Sequence, residues 1–220
     1  MGFLTTLALL ITLGVLWLVF TVMKHAAPSE KRMRAELAKM KTDMDAWAGD
    51  LVKIDKAELE LFSLGQVKKA AKKRFRSAVK GIYTTIFEEP VVAYSFKKFL
   101  GKNGLLYART ATHEYGYWIK NNETQVLING QIVGALRGDG GLYGARTKRL
   151  LAKLDKKGAV AFPVTVNQRE VASMTKAQPA DNKELTARAF QFVKDDLTEE
   201  EEVLLLSVVL PEIIQPPVGK

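Results

Sequence analysis

The chain has 220 residues, of which 47% are hydrophobic and 26% are charged, and its formal net charge is +9. Because it contains no cysteine, a disulfide scaffold, a thiol nucleophile, an iron–sulfur cluster and a cysteine-ligated zinc site are excluded. The only histidines are His25 and His113, which leave little for a metal site or a Ser–His–Asp centre. We therefore predict no enzyme activity, no metal site and no cofactor.

The N-terminal segment carries a long uncharged run. Gly2–Met23 has 22 residues without a charge, and about 20 apolar residues cross a bilayer core, so we predict one transmembrane helix over residues 1–24. A cleaved signal peptide is the alternative, although no basic residue precedes the run and no good cleavage site follows it. The basic residues Lys24, Lys31, Arg32 and Arg34 come just after the run. The positive-inside rule then places the N-terminus outside and the C-terminal domain in the cytoplasm.

Residues 25–57 predict a helical stalk. Apolar residues recur there at spacings that alternate between four and three, which is the a/d seam of three heptads. The seam consists of Met33, Leu37, Met40, Met44, Trp47, Leu51 and Ile54. Three readings stay open: a helix docked on its own domain, a helix packed on a partner subunit, and a stalk that forms a homo-oligomer.

The positive charge lies in the membrane-proximal half. Seven basic residues between Glu60 and Glu88 meet no acidic residue, and these are Lys68, Lys69, Lys72, Lys73, Arg74, Arg76 and Lys80. Val67, Ala71, Phe75, Val79 and Ile82 recur among them at helical spacing. The pattern predicts a basic amphipathic helix that binds anionic headgroups. A solvated face and a nucleic-acid surface are the alternatives, and no nucleic-acid motif accompanies the pattern.

From about Glu89 the pattern changes to short strands separated by turns. Asn129-Gly130 is the strongest hairpin signal, because Asn-Gly supplies the positive φ angles of a type I′ turn. Strands are predicted for Val91–Phe99, Leu105–Thr112, Tyr115–Ile119, Gln125–Ile128, Gln131–Arg137, Leu150–Leu154, Ala159–Val166, Val171–Thr175 and Ala187–Val193.

The last apolar segment predicts a buried helix. Thr198 and Glu201 have the spacing of a capping box, and Val203–Leu210 is apolar on every side. A terminal core strand is the alternative. Hairpin-paired strands and one closing apolar helix predict an antiparallel, barrel-like β domain wrapped around that helix. The predicted fold class is thus α+β, with a transmembrane helix, a heptad stalk and this β domain.

Two hairpins and the closing helix carry a resemblance to a known family. Gln125–Gly134 and Val164–Ala172 resemble paired hairpins of the tubby-like superfamily, which includes LURP-one-related and phospholipid-scramblase-like proteins. Glu202–Ile214 is similar to the apolar C-terminal helix of that family. The resemblance covers residues 58–215, leaves 216–220 as a tail, and implies a lipid-handling function. The phosphoinositide-binding residues of the family have no matching positions here.

Two further motifs give weaker indications of function. Gly138–Gly144 is glycine-rich and precedes Arg146, Lys148 and Arg149, but it lacks the Gly-Lys-Ser/Thr ending of a P-loop. A plain flexible loop is the simpler interpretation, and an anion held by its backbone N–H groups is the alternative. His113 followed by Glu114 could form an acid/base pair, although a structural histidine is the simpler reading.

Two functions are expected from these features. In the first, the chain is a membrane-anchored, non-catalytic interaction protein whose β domain docks on the membrane surface, as an accessory or assembly subunit of a larger membrane complex. In the second, it is a phospholipid-binding or scramblase-like protein. The expected partners are anionic membrane lipids and either protein subunits or further copies of the chain, whereas nucleic acid is not expected.

Overall fold

The computed structural model describes residues 6, 9–18, 29–46, 49, 51–54, 56–72, 78–99, 101–120, 123–158, 160–176 and 188–214, with the backbone alone for 66–72. The helices are α1 (residues 9–18), α2 (Glu30–Asp45), α3 (Lys56–Leu61) and α4 (Glu199–Ile213). The strands are β1 (Phe62–Lys72), β2 (Ala78–Thr85), β3 (Pro90–Lys98), β4 (Gly104–Arg109), β5 (Glu114–Lys120), β6 (Glu123–Ile128), β7 (Gln131–Arg137), β8 (Gly141–Gly144), β9 (Leu150–Leu154), β10 (Ala161–Val166), β11 (Arg169–Thr175) and β12 (Phe190–Val193).

All twelve strands belong to one antiparallel sheet in which each strand pairs with its neighbours in the chain, from β1 to β12 in order. The sheet curls until its two ends nearly meet. Ser63 of β1 forms an antiparallel bridge with Arg188, and the Ala189 N–H donates to the Phe62 carbonyl at 2.7 Å. The sheet is thereby nearly closed by the residues that immediately precede β12.

Tight turns fix the register of the hairpins. Asn129 and Gly130 have φ angles of 49° and 79°, so the predicted type I′ turn joins β6 to β7. Asn167 and Gln168, with φ angles of 48° and 67°, make a similar turn between β10 and β11. Asparagine tolerates the left-handed region because its short polar side chain bonds locally.

Helix α4 lies in the main hydrophobic core of the curled sheet. Leu205, Val209 and Leu210 are fully buried among apolar residues contributed by β2 to β12. The predicted capping box is present, since Thr198 Oγ1 accepts from the Glu201 N–H at 3.2 Å and Glu201 Oε2 accepts from the Thr198 N–H at 3.0 Å. At the other end, the Tyr83 hydroxyl donates to the Ile213 carbonyl at 2.9 Å. The capping box thus closes the helix at its exposed start, and the Tyr83 hydroxyl satisfies one carbonyl at its buried end.

The predicted α+β fold class with a transmembrane helix is wrong, because the structure is mostly antiparallel β. Among the residues that the structure describes, no helix is both long and apolar enough to cross a membrane. Residues 1–5, 7, 8 and 19–28 of the predicted anchor and its flank lie outside the described residues.

The predicted heptad stalk is wrong as well. Helix α2 ends at Asp45, and Met33, Met40 and Met44 are buried against the outer face of the protein's own sheet, over Leu105, Tyr107 and Trp118. Ion pairs hold the helix there, with 2.6 Å between Asp45 and Arg109 and 2.7 Å between Lys41 and Glu114. The described residues of the apolar seam therefore pack within the chain.

The predicted basic amphipathic helix is a β hairpin. Lys68, Lys69 and Lys72 lie on β1 and Lys80 lies on β2, with Lys68 opposite Ile82 and Lys69 opposite Gly81. The glycine-rich segment is also more ordered than a plain loop, since Gly141–Gly144 forms β8 between β7 and β9. In both segments the local structure is determined by pairing with a neighbouring strand. Such pairing cannot be inferred from the spacing of apolar residues or from the glycine content of one segment.

Candidate functional site

The predicted lipid-binding residues divide into two groups. Lys68, Lys69, Lys72 and Lys80 are brought onto one hairpin, and the Lys80 ammonium pairs with Asp43 of α2 at 3.0 Å. Lys73, Arg74 and Arg76 lie outside the described residues. The structure therefore brings four of the seven basic residues together and leaves their binding of lipid a prediction.

The predicted partner seam is not one surface. Met33, Met40 and Met44 are buried under α2, and Leu37 and Leu51 pack at the edge of the same cluster. Ile54 is buried in the main core instead, and Trp47 lies outside the described residues. The residues of the seam thus face two different cores.

A large open groove lies over β6, β7, β8 and the loop that joins β8 to β9. Its volume is about 1090 Å³, and Arg34 of α2 borders it on one side. Four cationic side chains line this basic groove, against one lining carboxylate, that of Glu123, and the Arg34 cation is also paired with Glu30 of its own helix at 2.8 Å. The cationic residues are Arg34, Arg137, Arg146 and Lys148. The charge of the groove favours an anionic ligand.

The floor of the basic groove requires glycine at position 134. A Cβ at Gly134 would lie 2.2 Å from the Tyr143 carbonyl oxygen on β8, which is closer than any real contact. With no side chain there, β7 and β8 approach closely and pair in register. This close pairing places Tyr143 beside Arg137 at the edge of the groove.

A chain of contacts orients Arg137. Its guanidinium lies 4.6 Å from the centre of the Tyr143 ring, a cation–π contact, and the Tyr143 hydroxyl donates to Asp139 at 2.6 Å. That hydrogen bond holds the pKa of the Asp139 carboxyl below its ordinary value and raises the pKa of Tyr143. The Glu123 carboxylate lies 4.0 Å from Arg137, and this exposed pair is worth little. The positive charge of Arg137 is thus only weakly compensated by Glu123, and it remains available to attract an anionic ligand.

The loop between β8 and β9 presents Arg146 and Lys148. Both side chains are exposed, and neither has an ion-pair partner in the described part of the chain. Lys148 has a φ angle of 56°, a left-handed conformation that is costly for a residue with a side chain. Its N–H donates to the Gly144 carbonyl at 3.0 Å, so the loop is held in this shape by its own backbone.

The backbone N–H groups of the glycine-rich segment are already bonded. Gly140 donates to the Arg137 carbonyl and Gly141 donates to Asp139 Oδ1, each at 3.0 Å. These two N–H groups are not free to bind an anion, so we consider side chains as the anion-binding groups of the groove. The sequence drew attention to Arg146 and Lys148 because they follow the glycine-rich segment. It did not identify Arg137 and Arg34 as groove residues, because their position there depends on tertiary packing.

The remaining candidate residues have structural partners. His113 Nδ1 lies 2.9 Å from Thr112 Oγ1 in the turn between β4 and β5. Glu114 pairs with Lys41 rather than with His113. Within the described residues no group of three or more His, Asp or Glu side chains could hold a metal ion.

In comparisons with known proteins, the chain matches no protein-family model, no curated protein and no solved structure.

Proposed function

We propose that the folded domain is a non-catalytic binding module that recognises anionic phospholipid headgroups through the basic groove. The observation that carries the proposal is the charge of the groove, which is lined by four cations and one carboxylate and in which Arg146 and Lys148 have no ion pair within the described residues. Arginine suits this ligand because its planar guanidinium binds phosphate oxygens in pairs.

A membrane surface is favoured as the source of the phosphate by the apolar residues beside the groove. Ile132 lines the groove, and its side chain is 38% exposed. Each Lys or Arg near an anionic bilayer contributes about 1 kcal/mol of attraction, so four cations supply a useful, salt-sensitive affinity. The likeness to the tubby-like superfamily stays a prediction, and no ligand residue is transferred from it.

Sedimentation with vesicles tests this function. The protein should bind vesicles of phosphatidylcholine mixed with phosphatidylserine and should not bind phosphatidylcholine alone, and the binding should weaken as salt is added. Arg146→Glu with Lys148→Glu should lower the affinity by about tenfold or more, because two attractive charges become repulsive.

The matched control reverses two exposed lysines outside the groove, Lys98→Glu with Lys102→Glu. If the control pair lowers vesicle binding as much as the groove pair, binding is a property of net charge and the groove is not the site. Equal binding to both kinds of vesicle would also contradict the proposal.

A second candidate function rests on α1. Its described residues include eight large apolar side chains that are 54–70% exposed, from Leu9 to Leu18. A helix that is apolar on every side needs an apolar partner, and we propose that this segment contacts another subunit of a larger membrane complex. Gentle extraction of the native protein should then yield a complex of fixed stoichiometry. Leu13→Asp with Leu16→Asp should release the chain from it, whereas a wild-type chain recovered alone would exclude this candidate.

A further inference from the structure

A second, smaller cleft lies between α2 and the sheet. Its volume is about 290 Å³, close to the lower end of ligand cavities, and it opens beside β4, β5 and β6. Its apolar lining comes from Leu37 and Ala38 of α2 and from Gly116 and Leu127 of the sheet. The Lys41–Glu114 ion pair, 2.7 Å long, lies at its border. The cleft is thus an apolar slot with a charged edge.

The cleft is also lined by a buried tyrosine whose hydroxyl has no partner. Tyr107 is 4% exposed, and its Oη is one of four buried side-chain polar atoms without a hydrogen bond in the described part of the chain. Burial raises the pKa of Tyr107, so the hydroxyl stays protonated and remains a donor at neutral pH. Buried polar groups are nearly always bonded in native proteins, and an acceptor oxygen of a ligand would satisfy this one.

The cleft lies next to the basic groove. Arg34 and Gly130 line both of them. An anion bound by the cations of the groove therefore has an apolar slot directly beside it.

We propose that the cleft takes the acyl chain of a single anionic lipid whose phosphate is bound in the basic groove. This inference rests on the proposed headgroup binding and adds that the protein binds one lipid molecule by both of its ends. Leu37, Ala38 and Leu127 contact the chain, and the Tyr107 hydroxyl donates to an ester carbonyl oxygen. An apolar cleft next to a cationic groove matches an amphiphile and does not match free phosphate.

Calorimetric titration with two probes separates the two ends of the lipid. One probe is a lysophosphatidic acid below its micelle concentration, and the other is glycerol 3-phosphate, which has the same headgroup without the chain. Each buried methylene is worth about fourfold in affinity, so three of them in the cleft should make the lipid bind about 60-fold more tightly.

Two matched variants of α2 test the position of the chain. Ala38 is exposed and lines the cleft, so Ala38→Trp should block it and remove most of the advantage of the lipid while glycerol 3-phosphate binds as before. Ala35 is exposed on the same helix and does not line the cleft, so Ala35→Trp should leave both affinities unchanged. An equal effect of the two variants on the lipid would overturn the inference.

Tyr107→Phe supplies a test that includes stability. Because it removes a buried hydroxyl without a partner, the variant without lipid should be at least as resistant to urea as the wild type, and it should bind the lipid several-fold more weakly. Unchanged lipid affinity would exclude the hydroxyl from the site.

If glycerol 3-phosphate and the lipid bind the wild type equally, the cleft is not used and headgroup binding stands. If neither probe nor anionic vesicles bind, the proposed function itself fails.

Discussion

Single residues set how closely neighbouring strands approach in this sheet. Gly134 and Gly116 both lie inside strands, and both have φ angles outside the left-handed region. They differ in their surroundings. A Cβ at Gly134 would meet backbone, the Tyr143 carbonyl oxygen at 2.2 Å, whereas a Cβ at Gly116 would meet the Leu37 side chain at 3.4 Å. Only the first position has no room for a methyl group.

The same substitution at these two glycines should therefore have different effects. Gly134→Ala forces β7 and β8 apart and should lower the free energy of unfolding by about 3 kcal/mol or more, since backbone cannot rotate away as a side chain does. Gly116→Ala makes ordinary contacts and should change stability by less than about 1 kcal/mol. Urea unfolding followed by circular dichroism measures both, and similar losses would show that the approach of β7 to β8 is not the limiting contact.

At the scale of elements, α2 combines a buried apolar stripe with charged edges. Met33, Met40 and Met44 fill one side, while Glu36, Asp43 and Asp45 on the edges pair with Lys97, Lys80 and Arg109 of the sheet. The ion pairs are partly exposed and each contributes little, so the burial of methionine supplies most of the attraction. The ion pairs chiefly fix the direction of the helix across β3 and β4.

Shortening one methionine tests this description. Met44 is fully buried, so Met44→Ala should lower the free energy of unfolding by about 2–5 kcal/mol through lost burial and a cavity. Lys39 lies on the same helix with an exposed side chain, and Lys39→Ala should be close to neutral. A loss that is no larger for Met44→Ala than for Lys39→Ala would mean that α2 does not depend on the sheet.

At the scale of the whole molecule, closure joins the two ends of the described β structure. Each strand pairs with its neighbour in the chain, and among the described residues the backbone contacts of Phe62 and Ser63 with Ala189 and Arg188 bring the two ends of the sheet together. These contacts cover an edge of β1 that would otherwise expose unpaired backbone groups. They also turn a long meander into a shell that surrounds α4.

Local signals in the sequence predicted much of this shell. The hairpin at Asn129-Gly130 and the capping box at Thr198 and Glu201 are present because both depend on residues a few positions apart. The hairpin of β1 and β2 was misread because Val67, Ala71 and Val79 fit a helical period equally well. The spacing of apolar residues alone therefore does not distinguish a helix from a strand in such a short segment.

The candidate site was only partly predictable for the same reason. Arg146 and Lys148 followed a glycine-rich segment that drew attention to them. Arg34 lies far away in the chain and reaches the basic groove because α2 docks across the sheet. Tyr107 looked like an ordinary strand residue, and its lack of a hydrogen-bond partner depends on the helix that covers it.

The place of α4 in the chain has a consequence for biosynthesis. All twelve strands precede the helix that they surround, so the ribosome releases the whole sheet before the helix that fills it. Until residues 199–213 emerge, the inner face of the nascent sheet has no central helix to cover it, and such exposed apolar surface invites aggregation. The inner face of the sheet is therefore covered only after α4 has been synthesised, and we expect the growing chain to bind chaperones that recognise apolar strands.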